Sequence, residues 1–544
     1  MNPKKLLFLV VCFSTQMMLA QSTYQQIYSI FQAKCSGCHN SSTNSGLLNL
    51  TAAPSAVYAA LVNHAPVNPA AVSKGFKRIT PGYPHRSFLL RKVNNSLDPD
   101  NNITNAEGGI MPSPPNPSLT NYEIELIRQW VLHGAPETGT VVDTALINTF
   151  YATGGINSVP VPLTPPSPSA GFQVHLGKIF LAPSTETEIF IKYDLKLADT
   201  LEINRIELSQ SPQSHHFVIY KYFEGQAVNF PEGLRDTTMN GHGSTNILTA
   251  FSPQTTDHVL PTGTAYLIPQ NEIWDLNYHL VNSSPDSILA AEIYFNVYTQ
   301  PKGTAQKYMY SKFFPNFSIV IPANDSASFT SIAADTAETN MWDIWILYTH
   351  THRFGVDYDV WKRNPDGSEG QQVYEGFYNF EYTFDQGYYA WGVEAPQRHF
   401  DPFLEINPKD GLLHKASYYN YTNAPVYFGM TSQDEMMVMG FQYTEGASLD
   451  PSAIKENKAD GISFKVYPNP FSGEAKVSYA LKGAADVKVE VYNMLGEIVE
   501  TLFDAQQTKG IHTHTLRTQL PGIYFLNVTV NGKTYSHKMI KTNE

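Results

Sequence analysis

The chain has 544 residues, which is too long for one hydrophobic core and predicts three or four domains. Charged residues make up only 16% and aromatic residues 12%, and the 36 prolines and 35 glycines are typical of a loop-rich, mainly β protein. The formal net charge is −13 with no basic patch to offset it, which counts against a nucleic-acid-binding protein.

Residues 1–20 have the pattern of a secretory signal peptide. Two lysines precede a short apolar run, and Ala20 marks the predicted cleavage site. The run is too short to span a bilayer, and no other segment is a candidate for an integral membrane span. A lipoprotein modified at Cys12 is the alternative, although no small residue stands before this cysteine. We therefore expect a secreted or cell-surface protein.

The next segment, residues 21–140, contains the haem-attachment signature Cys35-Ser-Gly-Cys38-His39. In this pattern the two thiols bind the haem vinyl groups and the histidine binds the iron. The mature chain has no further cysteine, so the pair is not part of a disulfide framework. A single disulfide or a redox dithiol beside an incidental histidine is the alternative.

A methionine and a helix complete the predicted haem domain. Met111 lies in a Gly/Pro-rich loop and is the predicted sixth iron ligand. Thr120 caps a predicted helix that ends at Gly134, with apolar residues at helical spacing. This arrangement resembles a small α-helical cytochrome c domain. Three other residues are rival iron ligands that we interpret first as surface residues: His64, His85 and His133.

Residues 154–171 are rich in proline. Because proline favours extended backbone, we expect a semi-rigid spacer that tethers the haem domain to the rest of the chain.

From Phe172 onward, short alternating apolar runs are separated by Pro, Gly and Asn. This pattern predicts antiparallel β-sandwiches. We place a boundary near residue 300, which gives domains 172–300 and 301–445.

Histidines recur through these two domains in three places. His350 and His352 are two residues apart, so in a strand both would project from one face and hold one metal ion. His215 and His216 are adjacent, and neighbouring residues face opposite sides of a regular strand, so their convergence requires a bulge or a strand end. His279 supplies a fifth imidazole.

Met436, in Asp434-Glu435-Met436, adds a thioether. A soft sulfur ligand combined with imidazoles favours copper over zinc. The order and spacing of these motifs resemble the copper type II monooxygenases, the family of peptidylglycine and dopamine monooxygenases, over residues 172–445.

The resemblance implies two jelly-roll-like β-sandwiches, each with one copper ion and a solvent gap between the two metals. His215, His216 and His279 would hold the copper that stores an electron. His350, His352 and Met436 would hold the copper that binds O2 and hydroxylates a C–H bond. Family members that act on peptides carry an arginine and an asparagine where this chain has Tyr348 and Val438, so peptidylglycine is not the expected substrate.

The remaining histidines and methionines carry weaker signals. Met430 is a rival copper ligand, and Met437 and Met439 are predicted core residues. Four histidines without a partner pattern are interpreted as solvated or hydrogen-bonded loop residues: His242, His258, His399 and His414.

Residues 464–544 contain alternating strands and the motif Tyr467-Pro-Asn-Pro470, which predict a small β-sandwich. The segment resembles the C-terminal sorting domain of the type IX secretion system found in Bacteroidota, and this resemblance implies the type IX machinery as a partner. A further HxH pair, His512 and His514, has no companion motif and is interpreted as an exposed strand face.

Together these patterns predict a secreted copper monooxygenase that carries its own haem. The cofactors are two copper ions and haem c, and the partners are O2, an external electron donor and a small-molecule or peptide-like substrate. One alternative is a haem and copper electron-transfer or copper-binding surface protein without hydroxylase activity. Another is a carbohydrate-binding β-sandwich with incidental histidines and no stoichiometric metal.

Overall fold

The computed structural model describes residues 21–158, 161–241, 243–251, 257–377, 397–431, 433–449, 464–469, 471–481, 483–493, 496–517 and 520–542. The predicted signal peptide lies outside the described residues. The described part of the chain is mainly β, with its helices near the N-terminus, as predicted. The α-helices are α1 (Thr23–Lys34), α2 (Pro54–Leu61), α3 (Pro69–Ser73), α4 (Phe88–Val93), α5 (Asn121–Leu132) and α6 (Thr144–Thr153).

Helix α5 begins where the sequence predicts. Thr120 is the N-cap and forms a capping box with Glu123, because each side chain accepts a hydrogen bond from the backbone N–H of the other residue. The apolar face of α5 is buried against α1, where Trp130 stacks on Tyr24 with ring centroids 5.6 Å apart. Helix α6 was not predicted, and it packs against α5.

The strands up to residue 448 are β1 (Ile156–Ser158), β2 (Gly171–Leu181), β3 (Thr185–Asp194), β4 (Leu201–Gln210), β5 (Ser214–Tyr222), β6 (Gly233–Asp236), β7 (Thr245–Phe251), β8 (Asp257–Val259), β9 (Thr264–Ile268), β10 (Ile273–Asn282), β11 (Leu289–Pro301), β12 (Lys307–Pro315), β13 (Val320–Ile321), β14 (Asp325–Ala333), β15 (Asn340–His350), β16 (Gly355–Arg363), β17 (Glu369–Phe377), β18 (Arg398–Ile406), β19 (Leu412–Asn420), β20 (Val426–Tyr427) and β21 (Val438–Ser448). They form two layered β-units.

In the first unit, the sheet β6-β3-β10-β5-β7 and the strands β2, β11, β4 and β9 share one core, which includes Ile219, Trp274 and Phe295. In the second unit, the sheet β14-β19-β16-β17 and the strands β12, β21, β15 and β18 share another core, which includes Trp342 and Phe441. The parallel pair β9–β12 joins the two units into one wide sheet. The predicted boundary at residue 300 lies in the last residues of β11.

The proline-rich segment differs from the predicted spacer. Its strand β1 pairs in parallel with β11, and the backbone oxygens of Val161 and Thr164 accept hydrogen bonds from Ser209 and Asn296 at 2.8 Å. Proline restricts the backbone to extended conformations but does not prevent it from lying along a sheet. The segment is therefore part of the first β-unit.

The helical domain contacts the first β-unit directly. Gln129 of α5 donates a hydrogen bond to the backbone oxygen of Lys178 at 2.7 Å, and Arg86 donates to the backbone oxygen of Asp194 at 2.8 Å. Tyr83 is buried and accepts a hydrogen bond from the N–H of Asp194. These hydrogen bonds attach the helical domain directly to the first β-unit, so the domain does not rely on the predicted proline-rich spacer as a tether.

The C-terminal tail forms a compact unit of its own. Its strands are β22 (Phe464–Tyr467), β23 (Ala475–Leu481), β24 (Ala485–Tyr492), β25 (Ile498–Gln507), β26 (Gly510–Leu516), β27 (Gly522–Val530) and β28 (Lys533–Lys541). The sheets β22-β23-β26 and β25-β24-β27-β28 share one apolar core, which is the predicted small β-sandwich. His512 and His514 are half-buried against Tyr479 rather than fully exposed.

Candidate metal centre

The adjacent histidines converge through a β-bulge, as the sequence analysis requires. In the antiparallel pair β5–β10, His216 lies opposite His279, but Ser214 lies opposite Leu280, so His215 is the extra residue. The Nδ1 atoms of His215 and His216 are 3.0 Å apart. One ligand nitrogen from each of the three histidines lies within 4.8 Å of the other two. The bulge thus turns both neighbours toward His279.

The outer nitrogens of two of these rings are held by polar side chains. Nε2 of His216 is 3.0 Å from Oδ1 of Asn277 and 3.5 Å from a carboxylate oxygen of Glu188. Nε2 of His279 is 2.6 Å from a carboxylate oxygen of Glu186. These contacts favour the tautomer with the proton on Nε2, which leaves Nδ1 free to bind a metal.

The second histidine pair lies at the end of β15. His350 is the last residue of the strand, and His352 lies beyond it in the following turn rather than in the strand, contrary to the simple alternation argument. The two rings nevertheless lie close together, with centroids 5.1 Å apart. Nδ1 of His352 is 3.2 Å from the backbone oxygen of Asp434, so Nε2 of His352 is the nitrogen that is available to a metal.

Glu435 joins this turn to the segment that carries Met436. One carboxylate oxygen accepts hydrogen bonds from the backbone N–H groups of His352 and Met436, and the other accepts one from Phe354. The side chain is fully buried, and burial raises its pKa to about 8. Sequence reasoning missed this role because the acidic residue is far from His352 in the sequence.

The five imidazoles form one cluster, which contradicts the predicted solvent gap. The ring of His350 is 6.2 Å from that of His215 and 6.4 Å from that of His216, and the ring of His352 is 6.4 Å from that of His215. Strand β5 belongs to the five-stranded sheet of the first unit and β15 to the sheet that runs through both units, and the end of β15 places the second pair of rings next to those of β5. Both ligand sets therefore face a common space.

The pKa values of the second pair reflect burial and mutual repulsion. The pKa of His350 is well below its ordinary value, first through burial and then through the neighbouring His352, His216 and His279. Burial and His279 lower the pKa of His352 to about 4. Both rings are therefore neutral at physiological pH, which is the form that binds a metal.

The chemistry of the residues fits copper. Nδ1 of His279 is buried and has no hydrogen-bond partner among the described residues, as expected for a nitrogen that binds a metal. Tetrahedral ligands about 2.0 Å from a metal are about 3.3 Å apart, close to the separation of the two Nδ1 atoms in His215 and His216. Met436 is half-buried beside Glu435, and Met430 is also half-buried.

The two positions at which the sequence departs from the peptide-hydroxylating enzymes that it resembles carry an aromatic and an apolar residue. Tyr348 is half-buried and its ring packs 5.5 Å from Phe313. Val438 begins β21 and is half-buried. Met437 and Met439 are fully buried, which confirms their predicted place in the core.

The proposed haem-binding residues follow directly after α1. Cys35 is its C-cap and is half-buried, Cys38 is exposed, and both thiols are free. Nδ1 of His39 is 2.8 Å from the backbone oxygen of Ser45, so Nε2 is the nitrogen that faces outward to an iron. Such a contact orients the ring of an iron-binding histidine.

Exposed apolar side chains near this motif also fit a haem. Leu47, two residues after Ser45, is 70% exposed, and Val67 is 50% exposed. Ile110, beside Met111, is 41% exposed, and its loop is joined to Asn68 by a hydrogen bond at the backbone oxygen of Ala106. A porphyrin ring would cover such a surface, which otherwise contacts water unfavourably.

The rival iron ligands have other contacts. His64 is exposed, and Nδ1 of His133 is 2.8 Å from the backbone oxygen of Gln129. His85 is not a surface residue as predicted, because its ring stacks on Tyr193 of β3 with centroids 5.9 Å apart. Burial lowers the pKa of His85 to about 3.

Two further histidines are core residues of strands rather than solvated loop residues. His258 in β8 contacts the hydroxyl of Tyr266 at 3.0 Å, and His414 in β19 contacts that of Tyr358 at 2.7 Å. Burial lowers the pKa of each to about 4. His399 lies in β18, and His242 lies outside the described residues.

The burial of His258 and His414 predicts that the fold loses stability as the pH falls. Below the ordinary pKa of about 6.5, His258 and His414 bind protons in the unfolded chain but stay neutral in the folded one. Their depressed pKa values therefore reduce the free energy of unfolding as the pH falls from about 6.5 to about 4, by about 3 kcal/mol for each histidine. Urea titrations of copper-free protein across this range measure the slope, and His414→Phe should make it shallower. An unchanged slope in this variant would contradict the assignment.

Within the part of the chain that the structure describes, no helix is long and apolar enough to cross a membrane.

Comparison with known proteins gives one sequence match and several distant structural likenesses. No curated protein matches the chain in sequence. The major capsid protein P2 of bacteriophage PM2 is 7% identical over 50% of this chain and 98% of its own, with a TM-score of 0.23. The glycosylasparaginase PNGase F from Flavobacterium meningosepticum is 10% identical over 50% and 96%, with a TM-score of 0.25. Likenesses this weak carry no functional conclusion.

A β-glucuronidase from Faecalibacterium prausnitzii is 13% identical over 40% of this chain and 36% of its own, with a TM-score of 0.12. The informative match is in the tail, where residues 465–542 fit the model of the secretion system C-terminal sorting domain. The chain therefore carries a type IX sorting domain, which directs the protein to the cell surface or the medium.

Proposed function

We propose that this protein is a copper-dependent monooxygenase that hydroxylates a C–H bond with O2, and that its c-type haem supplies the electrons. The observation that carries the proposal is the convergence on one space of five imidazoles from β5, β10, the end of β15 and the turn that follows it, with the segment of Met436 fixed beside that turn. The sorting domain directs the protein to the cell surface or the medium, and the proposed reaction with O2 would take place there.

Copper would supply one-electron redox chemistry and a binding position for O2. His215, His216 and His279 would hold one ion, and His350, His352 and Met436 the other. A thioether is a weak ligand and leaves coordination open at the second site. Glu435 fixes the turn of His352 and the segment of Met436 relative to each other. The position of the Met436 thioether therefore does not depend on the weak bond that it would form to copper.

Tyr348 and Val438 lack the charged and amide groups that would bind a substrate carboxylate, and the ring of Tyr348 packs against Phe313. This favours a substrate whose reacting end is apolar. One oxygen atom of O2 enters the C–H bond and the other leaves as water, so each turnover consumes two electrons and two protons. An external donor would reduce the haem, and the proximity of the two ligand sets would keep the electron path between two bound copper ions short.

A rapid-mixing experiment tests this function. Protein with reduced haem and copper is mixed with ¹⁸O2 and small molecules and peptides from culture medium. We expect ferrous haem absorbance to decay at a rate that depends on copper, and one ¹⁸O atom to appear in a product. A haem oxidation rate indifferent to copper removal, with no labelled product, would instead support the electron-transfer or copper-binding surface protein.

A further inference from the structure

The surroundings of the two ligand sets differ in charge. Strand β3 presents Glu186 and Glu188 on the same face, because residues two apart in a strand share a face. In the antiparallel pair β3–β10, Glu188 lies opposite His279. Both carboxylates thus reach the first set of histidines from the neighbouring strand.

Each carboxylate contacts a ring nitrogen. Glu186 is 2.6 Å from Nε2 of His279, and the side chain of His279 is only 1% exposed. Glu188 is 6% exposed and 3.5 Å from Nε2 of His216, and Nδ2 of Asn277 donates a hydrogen bond to it at 3.0 Å. A carboxylate that accepts a hydrogen bond from one nitrogen of an imidazole makes the other ring nitrogen a stronger ligand for a metal.

Among the described residues, no carboxylate contacts the ring of His352 in the second set, although the charge of Glu186 acts on it through space. Nδ1 of His352 contacts a neutral backbone oxygen, and Met436 offers an uncharged thioether. Glu435 lies nearby, but the three groups that it binds are backbone N–H groups rather than a ring. The carboxylates therefore act more strongly on the first set, whose rings they contact, than on His352, which only Glu186 affects, and only through space.

We propose that Glu186 and Glu188 are positioning residues that set the direction of electron flow, an inference that rests on the proposed function. Their charge stabilises copper(II) relative to copper(I) at the first site, while the thioether stabilises copper(I) at the second. Transfer of one electron from the first site to the second oxidises copper(I) to copper(II) at the first and reduces copper(II) to copper(I) at the second. The carboxylates make this direction favourable.

The test measures reduction potentials one site at a time. In a His350→Ala/His352→Ala background, where the first site remains, Glu186→Gln and Glu188→Gln remove the charge but keep the shape and the hydrogen-bond acceptor. A redox titration followed by copper(II) EPR should show a higher potential in each variant. For the double variant we expect at least a tenfold shift toward copper(I), equivalent to about 59 mV for one electron.

Two controls separate charge from structure. Glu186→Asp and Glu188→Asp keep the charge and should leave the potential closer to that of the parent than the glutamine variants do. In a His215→Ala/His216→Ala background, where the second site remains, the glutamine substitutions should raise the potential less than at the first site, because Glu186 acts on His352 only through space. An equal shift at both sites would also contradict the inference. Copper that binds with an unchanged potential in all glutamine variants would overturn this inference and leave the proposed function intact. Failure of the parent chain to bind copper would overturn both.

Discussion

Replacing both His350 and His352 with alanine is expected to lower the copper content from about two ions to about one ion per chain and to abolish hydroxylation. The rings of this pair are 5.1 Å apart, and together they supply two of the three proposed ligands of the O2-binding copper. Met436 alone cannot hold the ion, because a single thioether is a weak ligand. Plasma mass spectrometry of the purified variant measures the loss.

The tail offers a matched control for this substitution. His512 and His514 form another HxH pair and contact Tyr479 rather than other proposed ligands. In protein that retains its tail, His512→Ala/His514→Ala should leave the copper content unchanged. Equal loss of copper in the two variants, or no loss in either, would contradict the assignment of the second site.

Glu435→Ala is expected to weaken copper binding at the second site at least tenfold and to destabilise the fold. The substitution leaves the backbone N–H groups of His352, Phe354 and Met436 without their acceptor. A buried N–H that loses its partner costs about 1–3 kcal/mol, so we expect a loss of at least about 3 kcal/mol in the free energy of unfolding. Urea unfolding and copper titration measure the two effects.

Two variants show whether the effect on copper is specific. Glu435→Gln keeps an oxygen for His352 and Met436 and should weaken copper binding less than alanine does. Glu202 is another buried glutamate, and it binds the backbone N–H groups of Gly303 and Ala305. Glu202→Ala should reduce stability without changing copper affinity. If Glu202→Ala lost as much copper as Glu435→Ala does, the effect of Glu435 on copper binding would come only from the stability of the fold.

The sequence predicted the local features of the site better than it predicted which distant parts of the chain come together there. The two adjacent histidines required a bulge, and the structure has one at His215. His350 and His352 do lie close together, but not through the predicted alternation, because His352 lies past the end of the strand. The position of that turn depends on Glu435, and no local pattern links residues so far apart in the chain.

Other misses have similar physical causes. Prolines in the predicted spacer restrict the backbone but do not identify the neighbouring strand, so the pairing of β1 with β11 could not be foreseen. The packing of His85 on Tyr193 likewise depends on domain contacts. Glu186 and Glu188 did leave a signal, because two acidic residues alternate with threonines just before the apolar run Ile189-Phe-Ile191 of the strand.

The separation of the two copper sites was the largest error. The family resemblance implied a solvent gap between the two proposed copper ions, whereas the histidines of β5 and of the end of β15 lie together, with rings of the two sets 6.2 Å apart. This contact depends on the parallel pair β9–β12. Parallel pairing between distant strands has no short-range sequence signature.

The most direct test of the account is the metal and haem content of mature protein made in a host that attaches haem. Plasma mass spectrometry and the pyridine haemochrome assay give both numbers from one preparation. The account predicts about two coppers and about one covalent haem per chain. Haem without bound copper, or zinc that stays bound in the His350→Ala/His352→Ala variant, would contradict it and reduce the protein to a cytochrome joined to a binding module.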